Sequence, residues 1–272
     1  MDNQLDNELP VTLLTYDAKT DIGKKRETNE DNYLIESWED KSAILAVVAD
    51  GMGGHRGGEV ASQIAVDTFR ELLKNPLPSE PVYRYELLLK AFYDADSAIR
   101  EKGNTDFGLL GMGTTIIAAI VTPTELIHLY AGDCRLYHFG GDDPPYMTAD
   151  HSVVRVLLDL GQITPEQVAT HPMRAVVNSC LGGQGNAQFS VDPKWAESPS
   201  VIRTLQAGNL LLLCSDGLHG EISDAELQGL VAQFRNAPEK LTDACVTAAL
   251  ESGGADNITV IAIRVNEGEL NR

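Results

Sequence analysis

Short apolar runs along the chain predict a framework of buried strands. Each run has five to eight residues, a length that is typical of strands and too short for a core helix. The runs cover 43–49, 116–121, 126–131, 210–214 and 258–265. Three further strands, marked by aromatic and β-branched residues, are predicted at 11–16, 33–36 and 135–139.

The segments between these runs predict helices, which come mostly in pairs. The four longer patterns of helical spacing cover 59–73, 85–99, 225–234 and 239–250. Two shorter patterns, at 153–160 and 165–170, lie in a stretch without strands, so 151–188 is predicted as an excursion from the main sheets. Runs of strands interrupted by helix pairs favour antiparallel sheets covered by helices over a doubly wound parallel fold.

Composition narrows the class of protein without identifying it. The 272 residues are 43% hydrophobic and carry a net charge of -19, which would repel nucleic acid and anionic membranes. No run approaches the roughly 20 apolar residues that span a bilayer, and the acidic N-terminus does not resemble a signal peptide. The four scattered cysteines are predicted to be free thiols in a reducing compartment, so the cytoplasm is the expected location.

Four aspartates flank the predicted buried strands. Asp50, Asp133 and Asp216 follow apolar runs, and Asp256 precedes the last one. Each alone is typical of a turn, but if the strands lie side by side the carboxylates converge and require cations to offset their repulsion. Oxygen ligands without interspersed Cys or His indicate Mg²⁺ or Mn²⁺ rather than zinc, and a pair of such ions supports in-line displacement at phosphorus.

Short motifs follow one another in a single order over nearly the whole chain. They are DIG at 21–23, RETNED at 26–31, DGMGG at 50–54, GTT at 113–115, GDCR at 132–135, SDG at 215–217 and DN at 256–257. Together they resemble the metal-dependent serine/threonine protein phosphatases of type 2C, in their compact bacterial form.

The resemblance implies an α+β fold, a four-layer α-β-β-α sandwich in which helices flank two central antiparallel sheets. The catalytic domain is expected at 11–266, between an N-terminal tail at 1–10 and a C-terminal tail at 267–272. The implied activity is hydrolysis of phosphoserine and phosphothreonine by direct attack of a metal-bridging hydroxide, without a phosphoenzyme. The implied partners are phosphorylated proteins and a cognate Ser/Thr kinase, and the chain is expected to be a monomer.

The resemblance also assigns ligands for two core Mn²⁺ or Mg²⁺ ions. Asp50 matches the carboxylate that bridges both ions, and Gly51 matches the residue whose carbonyl binds the second. Asp216 and Asp256 match the remaining ligands of the first ion. Glu30 matches an acid that acts on the second ion through water.

Two further roles follow from the same motifs. Asp133, together with Asp216, matches the site of a third ion that is held more weakly. Arg26 matches the phosphate-binding arginine, and its planar guanidinium suits two phosphate oxygens. Met52 stands where other members have a proton-donating histidine, which leaves a metal-bound water or His55 as the general acid.

The excursion at 151–188 resembles the family's flap, which lies beside the cleft and influences substrate choice. Ala175 and Ser179 stand where polar and basic residues are common, so the role of this flap stays open. Two alternatives also stay open, a non-catalytic phosphatase-like regulator and the same chemistry directed at a small phosphorylated metabolite.

Overall fold

The structure of the protein is a computed structural model that describes residues 13–40, 43–53, 57–140, 144–168, 170–183, 189–195 and 201–267. The predicted N-terminal tail, His55 and most of the C-terminal tail lie outside the described residues.

The described strands form two antiparallel sheets. The first sheet has the spatial order β1 (Leu14–Asp21), β11 (Ile258–Val265), β10 (Leu210–Cys214), β6 (Arg135–Phe139) and β7 (Tyr146–Met147). The second has the order β2 (Asp31–Ser37), β3 (Ile44–Met52), β4 (Gly113–Val121), β5 (Glu125–Ala131) and β9 (Ile202–Thr204), and β8 (Leu181–Gly182) pairs with the start of β4.

Helices cover the outer face of each sheet. The second sheet packs against α1 (Gly57–Arg70) and α2 (Pro81–Thr105), and the first packs against α6 (Asp224–Phe234) and α7 (Pro238–Ser252). Shorter helices among the described residues are α3 (Val153–Asp159), α4 (Pro165–Val168) and α5 (Asp216–His219), and 3₁₀ turns cover Glu71–Lys74 and Phe107–Leu109.

Within the described residues, this layering gives three separate hydrophobic cores. Val47 of β3 packs in the core beneath α1 and α2, whereas the next residue, Val48, packs between the two sheets. A third core joins the first sheet to α7 through residues such as Cys245. Because β3 is buried on both faces, its sequence is continuously apolar instead of alternating. The predicted α+β fold, an α-β-β-α sandwich, is confirmed.

The first strand lies later in the sequence than predicted. The apolar pattern predicts 11–16, whereas β1 spans Leu14–Asp21 and pairs along its whole length with β11. As an edge strand, β1 exposes most of its residues at least in part, so its polar second half carries no apolar signal. In a similar way β3 does not end at Asp50 but continues to Met52.

Several short elements were not predicted at all. Strands β7, β8 and β9 have only two or three residues each, and α5 has four. Such strands exist because longer neighbours offer hydrogen bonds, which a local pattern does not encode. Among the described residues, no helix is long and apolar enough to cross a membrane.

Candidate metal centre

Neighbouring strands of both sheets bring the predicted acids to one end of the sandwich. Asp50 lies on β3 opposite Asp31 of β2 and Thr115 of β4. In the other sheet, Asp216 lies two residues after the end of β10, and Asp256 lies two residues before β11, the neighbour of β10. Antiparallel pairing therefore places the end of one strand beside the start of the next, which is how acids distant in sequence meet.

Asp31 ties the two sheets together at this end. Its Oδ2 accepts hydrogen bonds from Ser215 Oγ and Thr259 Oγ1, both at 2.7 Å. Ser215 immediately precedes Asp216, and Asp31 pairs with Asp50, so this contact places the two predicted ligands near each other. The sequence motif at 26–31 contains Asp31 but indicates no role for it, because burial between the two sheets has no local sequence signal.

The carboxylates raise one another's pKa. Burial raises the pKa of Asp50 well above its usual value, and the charges of Asp31 and Asp216 raise it further. Burial and the charge of Asp256 raise the pKa of Asp216, while a hydrogen bond with Asp50 partly lowers it. Burial and the charge of Asp216 also raise the pKa of Asp133. This set of acids is electrostatically unfavourable without positive charge beside it.

Two buried carboxylate oxygens without partners also indicate that a cation is needed at this end of the sandwich. Within the described part of the chain, Oδ1 of Asp31 and Oδ1 of Asp216 are buried without a hydrogen-bond partner. A buried anionic oxygen normally accepts hydrogen bonds or binds a metal. The donor set is made of oxygens alone, which fits a hard divalent cation such as Mg²⁺ or Mn²⁺.

The acids lie near one another, but their side chains do not form a complete metal-coordination shell. In the described ranges, no group of three or more His, Cys, Asp or Glu side chains is arranged to hold a metal ion as it stands. Coulombic interactions act over many ångströms, whereas ligand oxygens must come within about 2.0–2.6 Å of the ion. The described acids therefore interact electrostatically but are not arranged as a coordination shell.

Gly51 and Glu30 lie in close backbone contact. The Gly51 N–H donates to the Glu30 carbonyl at 3.2 Å. A Cβ at position 51 would lie 2.2 Å from the carbonyl oxygen of Gly58, so only glycine fits there. Asn257 in turn accepts from the Glu30 N–H at 2.8 Å, which fixes the Glu30 loop against β11.

Arg26 lies at the rim of this group. Its Nη2 donates to Asp256 Oδ2 at 2.6 Å, and its Nη1 lies 3.9 Å from Glu30 Oε2. Its side chain is 47% exposed, so the guanidinium reaches solvent on one side and the acids on the other. The structure thus brings Arg26 next to two predicted metal-site residues.

Asp133 lies in the turn between β5 and β6. Its carbonyl oxygen is 3.0 Å from Nε2 of His219, the last residue of α5. Burial and then the charge of Arg135 lower the pKa of His219 to about 4, so this ring is neutral and donates its Nε2–H. The sequence motifs do not indicate His219, because its contact with Asp133 depends on the short helix α5.

The flap-like excursion divides into exposed and buried parts. Ala175 is exposed, but Ser179 is buried and its Oγ donates to the Ser190 carbonyl at 2.8 Å. The departure from the family pattern at Ser179 therefore concerns packing, whereas the one at Ala175 concerns the surface.

Known proteins resemble this chain over most of its length. The sequence model of the family described as Protein phosphatase 2C matches residues 23–252. The serine/threonine phosphatase stp of Listeria innocua is 35% identical over 251 residues, which are 91% of this chain and 94% of that protein.

Solved structures show the same likeness. The Mycobacterium tuberculosis serine/threonine phosphatase PstP/Ppp aligns with a TM-score of 0.80 at 30% identity, over 93% of this chain and 99% of that one. The catalytic domain of serine threonine protein phosphatase PstP in complex with two manganese ions aligns with a TM-score of 0.77 at 30% identity, again over 93% and 99%.

Proposed function

The chain belongs to the protein phosphatase 2C family, and we propose that Asp50, Gly51, Asp216 and Asp256 hold the divalent cations on which its phosphatase activity depends. The observation that carries this proposal is the convergence of buried carboxylates from both sheets, with two oxygens left unpaired. The predicted catalytic activity is confirmed over the non-catalytic alternative, since named serine/threonine phosphatases match nearly the whole chain. The catalytic domain is proposed at 11–266.

We propose two core ions, either Mn²⁺ or Mg²⁺. The PstP catalytic domain in complex with two manganese ions supports this number, and the oxygen donors support both metals. Glu30 is assigned to the second ion through water, and Asp133 with Asp216 to a third, weaker ion. When bound, these cations would supply an activated water for attack on phosphorus and would neutralise the phosphoryl oxygens.

Arg26 is the proposed phosphate-binding residue. Its contact with Asp256 orients the guanidinium toward the acids, and its exposed side is open to an incoming phosphate. Two parallel N–H donors match two phosphoryl oxygens and would hold the phosphorus in line for attack. As water adds to phosphorus it gives up a proton to solvent, the bond between phosphorus and the Ser or Thr oxygen breaks, and that oxygen takes up a proton. Met52 has no proton to give, so the candidate donors are a water that the cations would hold and His55, which lies outside the described residues.

The proposed substrates are proteins phosphorylated on Ser or Thr, and the proposed partner is a cognate Ser/Thr kinase whose products the enzyme reverses. We further propose a monomer in the cytoplasm. Cys134, Cys180, Cys214 and Cys245 are buried free thiols, which supports a reducing compartment.

Asp50→Asn tests the metal assignment. This substitution removes the charge of the proposed bridging ligand and should reduce Mn²⁺-dependent phosphate release from a phosphothreonine peptide by about 10²- to 10³-fold, the effect of losing one principal source of electrostatic stabilisation. Asp67→Asn, on the exposed face of α1, is the matched control and should retain full activity. Unchanged activity in Asp50→Asn, or full wild-type activity in EDTA, would overturn the proposal.

A further inference from the structure

His151 lies against the turn that carries Asp133. Its backbone N–H donates to the Gly132 carbonyl at 2.9 Å, and its ring Nδ1 accepts from the Gly132 N–H at 3.2 Å. Both backbone polar groups of Gly132 are therefore bound by one residue, and Gly132 directly precedes Asp133. No role for His151 follows from the sequence motifs.

The His151 ring also contacts Asp192 through Nε2 and Tyr130 through its face. Because Nδ1 accepts from a backbone N–H, the ring proton is on Nε2, which lies 2.9 Å from Asp192 Oδ2. The hydrogen bond with His151 is the main cause that lowers the pKa of Asp192, so this carboxylate is an ionised acceptor. Tyr130 stacks on the imidazole with ring centroids 4.8 Å apart. The imidazole has a fixed tautomer and a fixed plane.

The turn at Gly132 packs tightly against the second sheet. Gly132 has a φ of +112°, and a Cβ there would lie 2.3 Å from Cβ of Thr115, the residue paired with Asp50. The turn therefore lies directly against β4 beside the metal centre. A shift of the Gly132–Asp133 peptide moves the Asp133 carboxylate relative to Asp216, its proposed co-ligand.

The same residue anchors the flap-like excursion. The backbone carbonyl of His151 accepts from the Asn178 N–H at 2.8 Å, and the next residue, Ser152, forms a β-bridge with Val177. The base of the excursion and the Asp133 turn thus share His151.

We propose that His151 is a positioning residue for Asp133: by holding the Gly132 N–H, it orients the Asp133 carboxylate toward the weakly held cation. This inference rests on the proposed role of Asp133 as a ligand. Residues that orient metal ligands contribute to the affinity of the site for the metal. Their loss typically weakens metal binding by about 10- to 100-fold.

Two neutral substitutions separate this role from packing. In His151→Asn, the side-chain oxygen takes the place of Nδ1 and still accepts from Gly132, but the contact with Asp192 is lost. In His151→Gln, the amide takes the place of Nε2 and reaches Asp192, but the acceptor for Gly132 is lost. Both variants lose the stacked imidazole, and neither changes the charge near the metals.

The measurement is calorimetric titration of Mn²⁺ into the EDTA-treated, dialysed full chain. We expect the weakest binding step to lose about tenfold in affinity in His151→Gln and no more than about threefold in His151→Asn, while the tighter steps stay unchanged. Equal loss in both variants, or no loss in either, would overturn the role of His151. If His151→Gln melts below the titration temperature, Asp192→Ala removes the partner of Nε2 and should weaken the same step; an unchanged weakest step in Asp192→Ala would then overturn the role of His151.

Asp133→Asn tells the two proposals apart. This variant should abolish the weakest Mn²⁺ step while leaving the tighter ones. If it leaves that step intact, the assignment of Asp133 fails, and the role of His151 fails with it. If it abolishes the step but His151→Gln matches wild type, only the positioning role is overturned.

Discussion

At the scale of single residues, Asp31 shows how a buried carboxylate in the candidate metal centre lowers the stability of the metal-free protein. Burial raises its pKa to about 7, with added repulsion from Asp216 and Asp256, although Ser215 and Thr259 donate hydrogen bonds to it. An ionised carboxylate in this position destabilises the fold unless a cation is bound, because its surroundings are both buried and acidic.

Asp31→Asn should therefore stabilise the metal-free protein. The amide oxygen can still accept from Ser215 and Thr259, and one negative charge is removed from among the acids. At pH 8 in EDTA we expect the variant to melt higher by about 2–4 °C, the shift that 1 kcal/mol produces in a chain of this size. Saturating Mg²⁺ should raise the melting temperature of Asp31→Asn less than it raises that of wild type. Asp67→Asn is the control, and a lower melting point of Asp31→Asn in EDTA would contradict this account.

At the scale of secondary-structure elements, the helical layer over the second sheet depends on large side chains packed edge to face. Phe92 of α2 and Phe69 of α1 are fully buried, and their ring centroids are 5.2 Å apart. This contact joins the two helices to each other above β3, which carries Asp50.

Phe92→Ala should cost about 3–5 kcal/mol in the free energy of unfolding, because it removes apolar contacts and leaves a cavity. Tyr83→Ala, on the same helix but 57% exposed, should change stability by no more than about 0.5 kcal/mol. Urea denaturation followed by circular dichroism measures both values. Equal effects of the two substitutions would show that the α1–α2 layer is not packed as described.

At the scale of the whole molecule, the raised carboxylate pKa values predict how stability depends on pH. Between the usual aspartate value and the raised folded one, the folded state binds more protons than the unfolded state, so stability falls as pH rises. Two buried histidines act in the opposite direction, since burial lowers the pKa of His128 to about 3 and of His219 to about 4. The increase in stability with pH that these histidines cause ends near pH 6.5, which is about the pKa of histidine in the unfolded chain.

The metal-free protein should therefore be more stable at pH 6 than at pH 8, with a difference in melting temperature of at least about 5 °C in EDTA. Saturating Mg²⁺ should raise the melting temperature at pH 8 more than at pH 6, because the cation binds ionised carboxylates. Thermal melts at the two pH values, with EDTA or Mg²⁺, test both statements. A metal-free protein that is equally stable at pH 6 and pH 8 would argue against a raised pKa in these acids.

The sequence by itself determined the framework of the molecule. A strand such as β3, buried on both faces, must be apolar throughout, so its position is visible in a local pattern. The recurrence of aspartates at the ends of such strands, including Asp50 and Asp216, together with the family motifs, predicts them as metal ligands.

Only the tertiary structure decided which residues meet across the sheets. The hydrogen bonds of Asp31 to Ser215 and Thr259, the burial of Ser179 and the contacts of His151 join segments far apart in the chain. Short strands such as β8 also depend on a longer partner for their hydrogen bonds. Periodicity reports how deeply a segment is buried, whereas the identity of its neighbours depends on how all the layers pack together.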